Sequence, residues 1–341
     1  MAYLIFSLSL LLVYIGLAQM LHVQFGLLGI PNFGVVGFWG FGMYFMGVVQ
    51  VQLGMSFMDG LLLTSAILAA LSYGLGHLIL RLERQAILCA TIAFAAIVAL
   101  LVVTEKWATM GVVGLGTIRY PLRLFGMEEY LHFIVLLAFV IGGQFYILRL
   151  HKSRLGRLMI AIRDNEELAG SLGKDTFRVK LHAFTITATT MGILGCLSAA
   201  LNQFLTPNMI VPSITFAVWI SLVLGGKEHA LGPMMGVFVT FGIFDIFIET
   251  YAPVSPQFAV LVPNIKLFLY GALLVAVLLY RPTGFLDKNT TPADLLGGVL
   301  RAIAATLGGL VAALGGLVTA LSATAKRVEK LAAKTKKDED A

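Results

Sequence analysis

The sequence predicts an all-α, polytopic integral membrane protein of about nine transmembrane helices. Three observations predict it. Of 341 residues, 59% are hydrophobic and only 12% charged, outside the range of soluble domains, and the mean hydropathy is +0.92. The first eighty residues carry one charged side chain, Asp59. Apolar runs recur throughout, each long enough to cross about 30 Å of hydrocarbon at 1.5 Å per residue.

Taken in order, the spans fall near 3–20, 35–53, 58–80, 85–103, 129–148, 181–203, 213–225, 232–250 and 263–280. The opening run lacks a basic region before it and continues into further apolar segments, so it reads as a first membrane helix and not as a secretory signal. Pro31 with Gly26, Gly29, Gly34, Gly37, Gly40 and Gly42 marks a broken or closely packed segment at membrane depth. Asn32 and Phe33 in that segment are candidates for a translocation path. Between the fourth and fifth spans lies a Gly-punctuated loop, Thr104–Glu128.

The basic clusters set the expected orientation. Arg81–Arg84 and the stretch Arg149–Lys180 lie two helices apart, so both are expected on the cytoplasmic side, with the N-terminus outside. The net charge of +6 follows from such loops, and no nucleic-acid partner is expected. Cys89 and Cys196 stand far apart in apolar runs, without the spacing of a disulfide or zinc site. No His, Asp or Glu cluster has metal-ligand spacing.

Arg149–Lys180 holds twelve of the forty-two charged residues, eight of them Lys or Arg. Within it, Asp164 followed by Glu167 fits a capping box. Leu168, Ala169 and Leu172 then form a small apolar face, and Gly173 is placed to end the helix in a left-handed conformation. About nine residues of helix result, too few to stand alone in water, so the helix needs a partner surface. From these residues, a connector packing on its own protein and a docking element fit equally.

In the eighth span Asp245 and Glu249, four apart, share a helix face, and Lys266 begins the ninth. Such groups either form a proton or substrate site, or sit at the boundary and reach water. Asn202-Gln203, ending the sixth span, faces either an external protein or water. The tail from Asp287 differs in kind. Ile303, Leu307, Leu310, Leu314, Leu317, Leu321, Val328 and Leu331 recur in heptad steps, and its basic end, Lys326–Lys337, favours a cytoplasmic or surface-lying helix over a tenth span.

The stretch "GRLMIAIRDNEELAGSLGKDTFRVKLHAF", Gly156 to Phe184, resembles the cytoplasmic loop of permease subunits of branched-chain amino acid importers driven by ATP-binding cassettes, a family that also serves urea and short amides. "GLLGIPNFGVVGFWGFGMY", "VLGGKEHALGPMMG" and "YRPTGF" are similar to other family segments, in the family's order. The resemblance spans residues 1–286; the tail 287–341 falls outside it, and Lys227-Glu228-His229 puts charge where the family has small or apolar residues.

The resemblance implies an importer permease domain working with a second related permease, two ATP-binding subunits and an external solute-binding protein, in the lipid of an inner membrane. Asp164 and Glu167 would order a coupling helix that includes Asn165 and Gly173, Leu168, Ala169 and Leu172 would face a groove of the ATPase, and Arg163 and Glu166 would touch its rim. The chain would be no enzyme and hold no cofactor. "GSLGKD", Gly170–Asp175, lacks the spacing and the Ser/Thr of a P-loop, so ATP and magnesium belong on partner chains. The competing readings are a self-contained secondary transporter or channel using Asp245 or Glu249, and a scaffold assembling through the tail.

Overall fold

The computed structural model describes residues 2–116, 118, 120–121, 127–245 and the single positions 268, 271, 275 and 286. Those residues form helices with no named strand; the sole extended pairing is an isolated bridge, Leu115 with Leu205. The helices are α1 (Ala2–Leu21), α2 (Val35–Val51), α3 (Phe57–Ile79), α4 (Arg84–Thr104), the single turn α5 (Lys106–Thr109), α6 (Glu128–Lys152), α7 (Arg154–Asp164), α8 (Glu166–Ser171), α9 (Thr176–Asn202), α10 (Pro212–Gly225) and α11 (Gly232–Val237). Expected spans and observed helices agree to a few residues through α10. The 263–280 span, Lys266, Glu249 and the 287–341 tail lie outside the described residues, apart from the single positions named.

Among the described residues six helices are long and apolar enough to cross a membrane, and two apolar ones, Val35–Val51 and Gly232–Gly242, are shorter. Burial separates centre from periphery. In α9, 72% of the most apolar stretch lies inside the molecule, against 22% in α6, so α9 is the axis and α6 an outer wall. α2 and α3 pack along α9, α1 packs on α6 and α9, and α4 covers the far side of α2.

Glycine lets α2 and α9 approach to backbone contact. A Cβ on Gly42 would stand 2.1 Å from the carbonyl oxygen of Gly192, and one on Gly195 would stand 2.0 Å from that of Trp39. Without a hydrophobic gain between helices in lipid, such small-residue seams supply the dispersion contact that holds them. Beside the seam the Trp39 indole donates to Ser198 Oγ at 2.9 Å.

α1 does not stop cleanly. It widens over His22–Leu27, with longer-range backbone bonds than an α-helix, and then breaks at Gly29-Ile30-Pro31. The break is largely buried, and its freed backbone groups find partners. Asn32 Oδ1 accepts from Gly34 N–H at 2.7 Å, Thr91 Oγ1 accepts from Phe33 N–H at 3.0 Å, and the Trp219 indole donates to the Asn32 carbonyl at 2.9 Å. Asn32 Nδ2 donates to Gln24 Oε1 at 2.8 Å, and Gln24 Nε2 to Thr187 Oγ1 at 2.6 Å. Irregular backbone survives at membrane depth only where protein satisfies it in this way.

Both readings of the glycine-rich segment are therefore correct, at different positions. The candidate path residues Asn32 and Phe33 both sit in the break. Asn32 is fully buried and spends its polar groups on the break, while Phe33 stacks on Trp219 with ring centroids 4.5 Å apart. Asn32→Leu is expected to leave the Gly34 amide and the Gln24 carbonyl unpaired, at about 1–3 kcal/mol for each group. A melting curve of the detergent-solubilised protein checks this, and an unchanged midpoint would contradict it.

Candidate functional site

The charged loop connects α6 to α9 as two short helices meeting at a corner. Ser153 caps α7, its hydroxyl accepting from Gly156 N–H at 3.0 Å. Gly156 is there because a Cβ would lie 1.9 Å from the Leu150 carbonyl oxygen. α7 is amphipathic, burying Met159 and Ile162 on one face. Asn165, at φ −153° and ψ 103°, ends it and turns the chain.

Asn165 is also the cap of α8: its Oδ1 accepts from Leu168 N–H at 3.0 Å. The expected capping box on Asp164 is thus corrected by one residue. Asp164 is still helical, in α7, and its carboxylate takes the Arg163 guanidinium at 3.0 Å. With Asn165 at the cap, the third helical position is Leu168 and not a Glu, so no reciprocal bond forms there.

At its other end α8 closes by a Schellman arrangement. Lys174 N–H reaches the Ala169 carbonyl at 3.4 Å and Gly173 N–H reaches that of Gly170 at 2.9 Å, with Gly173 at φ 76°. The left-handed glycine expected at the helix end is present. α8 is six residues long, against the nine expected, because α7 claims the residues before the corner.

The apolar face divides. Leu168 is 59% exposed and Leu172 72%, whereas Ala169 is 5% exposed. Positions 168 and 172 lie one above the other on a helix, and 169 is a third of a turn away, toward α7 and α9, on which α8 packs. Ala169 is therefore an anchor of α8 to its own chain, which corrects its assignment to the outward face.

Arg163 and Glu166 also point home. The Arg163 side chain, 19% exposed, donates through Nη1 to the Gly26 carbonyl at 2.6 Å and approaches Glu228 at 3.6 Å. Arg84 donates to the Arg163 carbonyl at 2.9 Å. Glu166 pairs with Lys180 of α9 at 2.5 Å. Both fasten the corner to the membrane domain, with Glu166 still exposed at the edge of α8.

Arg163 thereby joins three segments: the end of α7, the widened turn after α1, and the α10–α11 turn that bears Glu228. That turn is itself tight. A Cβ on Gly232 would stand 2.0 Å from the Gly226 carbonyl oxygen, and Leu286 donates its N–H to the Gly225 carbonyl at 3.2 Å. A cavity of 440 Å³ opens where these segments meet, between Arg84, Gln85, Asp164 and Lys227. Glu228 as a partner of Arg163 is legible in the sequence only as an anomaly, the charged Lys227-Glu228-His229 in an apolar turn.

Of the remaining candidates, Glu167 is exposed and Asp245 ends the described part of the helical segment after α11, while Glu249 lies outside the described residues. Among the described residues no group of three or more His, Cys, Asp or Glu is placed to hold a metal ion.

Comparison with known proteins agrees with this architecture. The family described as "Branched-chain amino acid transport system / permease component" matches residues 1–278. The high-affinity branched-chain amino acid transport system permease protein LivM of Salmonella typhimurium is 28% identical over 313 residues, covering 84% of this chain and 71% of its own. LivM of Escherichia coli is 28% identical over 319 residues, covering 86% and 72%. A probable branched-chain amino acid transport permease LivM of Methanocaldococcus jannaschii is 23% identical over 165 residues, 46% of each chain. No solved structure matches. With a family match across residues 1–278 and six candidate membrane helices, the chain belongs to the permease components of branched-chain amino acid transport systems.

Proposed function

We propose that this chain is the membrane-spanning permease subunit of an ATP-driven importer for branched-chain amino acids, with α7 and α8 as its coupling element. Partner chains supply the chemistry: two ATP-binding subunits carry ATP and magnesium, a second related permease completes the pathway, and an external binding protein delivers the solute. The charged loop lies on the cytoplasmic side, in keeping with its excess of Lys and Arg, and the N-terminus lies outside.

One observation carries the reading. α8 is capped at both ends, anchored through Ala169 and the Glu166–Lys180 pair, and yet presents Leu168 and Leu172 to solvent on one face. A six-residue helix held that rigidly, with two exposed leucines in register, is built to seat in an apolar groove of another protein. Because Arg163 ties the same corner to the break after α1, a push on α8 reaches the membrane core directly.

Leu168→Asp and Leu172→Asp are each expected to leave the chain in the membrane and to lose the ATP-binding subunits. Forfeiting one buried leucine costs about 2 kcal/mol, roughly thirtyfold in affinity, before the charge is counted. Purification from the native membrane followed by leucine uptake in vesicles tests this; full uptake by either variant would sink the proposal. Uptake of urea or a short amide in place of leucine would reassign the solute.

A further inference from the structure

At the end of the bundle away from the loop, a cavity of 310 Å³ lies between the first turns of α1, the start of α6 and the end of α9. Its walls are of two kinds. Ile5, Phe6 and Leu201 are apolar, while Ser9, Tyr120, Glu129 and Gln203 are polar. Ser9 is fully buried and its hydroxyl has no hydrogen-bond partner, which is unusual for a helical serine that has its own backbone within reach.

The cavity has a constructed roof. The bridge between Leu115 and Leu205 and the bond from Ile118 N–H to the Gln203 carbonyl at 3.2 Å strap the loop after α5 over the end of α9. Gln203 holds a left-handed conformation, φ 56°, uncommon for a residue with a Cβ. Its side chain lies beside the Tyr120 hydroxyl. Burial, with Glu129 and Glu128 nearby, raises the Tyr120 pKa, so the phenol stays a proton donor.

We infer that this cavity is a transit site for the solute on its way in, and that it takes an aliphatic α-amino acid as the zwitterion. The Glu129 carboxylate receives the ammonium, the Ser9 and Tyr120 hydroxyls donate to the carboxylate, and Ile5, Phe6 and Leu201 enclose the branched side chain. The inference rests on the importer reading for its solute and for the external position of this end. It adds a place and a charge requirement to it. An ethanolamine phospholipid headgroup offers the same ammonium beside an anionic group. The three apolar walls and a volume suited to one small molecule favour the free amino acid.

The test uses the complete transporter in vesicles, in a Cys89→Ser background. Phe6→Cys places a thiol on an exposed wall of the cavity, and a small membrane-impermeant thiol reagent is added outside. Leucine is expected to slow its modification several-fold, 4-methylpentanoate, which lacks the ammonium, is not, and Glu129→Gln is expected to abolish the protection. Independently, Glu129→Gln with the native Phe6 is expected to lower leucine uptake about tenfold, the loss of one charge-assisted bond. Modification that leucine leaves unchanged, that 4-methylpentanoate slows equally, or that responds only to ethanolamine lipid in the vesicle, overturns the transit site. If the unmodified assembly moves leucine in those same vesicles, only the site falls; if it does not, the importer reading falls first.

Discussion

Vesicles carrying Arg163→Ala are expected to retain the ATP-binding subunits and to lose uptake by at least about tenfold. The guanidinium leaves behind a Gly26 carbonyl that it met at 2.6 Å and a Glu228 carboxylate at 3.6 Å, and it also held Asp164. A hydrogen bond from a charged donor contributes about 1.5–3 kcal/mol, enough for a tenfold or larger change in how motion of α7 is passed on. Leu168 and Leu172, on the far side of the corner, are untouched, so docking survives while transmission fails. Arg163→Lys is expected to recover only part of the activity, because an ammonium cannot fork to three acceptors on different segments. ATP hydrolysis that continues without uptake is the signature to measure; normal uptake by Arg163→Ala contradicts the linkage.

Gly42→Val is expected to cause a large loss of folded protein. The added Cβ would lie 2.1 Å from the Gly192 carbonyl oxygen and 2.7 Å from its Cα, so the obstacle is backbone with no side chain to swing away. α2 has to leave α9 by about 1 Å or more to restore an ordinary C···O contact. That movement also stretches the Trp39–Ser198 bond of 2.9 Å and the Cys196 contact to the Gly42 carbonyl at 3.4 Å. Overpacking costs about 1–3 kcal/mol where side chains can yield, and the backbone seam sets this case at or above the upper end. Gly142→Val serves as the control, since nothing lies within 4 Å of a Cβ there. Monodisperse yield and melting midpoint in detergent check the pair, and equal values for both variants would refute the seam's role.

The membrane class, the position of most spans and the chemistry of the charged loop were all legible in the residues. Apolar runs and caps are local: a span needs only its own composition, and Gly173 ends α8 through a backbone conformation that its own lack of a Cβ permits. Even so, the residues alone place the cap one position early, at Asp164 in place of Asn165. Asp, Asn and two Glu in succession offer several equivalent starts, and only the exit angle of α7 selects among them.

What the sequence alone determined is the kind of protein and the material of its site; what only the tertiary structure decided is which way each side chain faces. Ala169 turns inward while Leu168 and Leu172 stay free, because α7 and α9 occupy one side of α8. Asn32, a polar residue at membrane depth, belongs to a buried break because Gln24 and, through it, Thr187, 163 residues on from Gln24, reach it. Arg163 finds Gly26, 137 residues away, as well as Asp164 beside it on its own helix. Periodicity along a chain specifies a helix and its apolar stripe, but contacts between distant segments arise only when helices are packed, and in lipid that packing is governed by backbone-level fits such as Gly42 on Gly192.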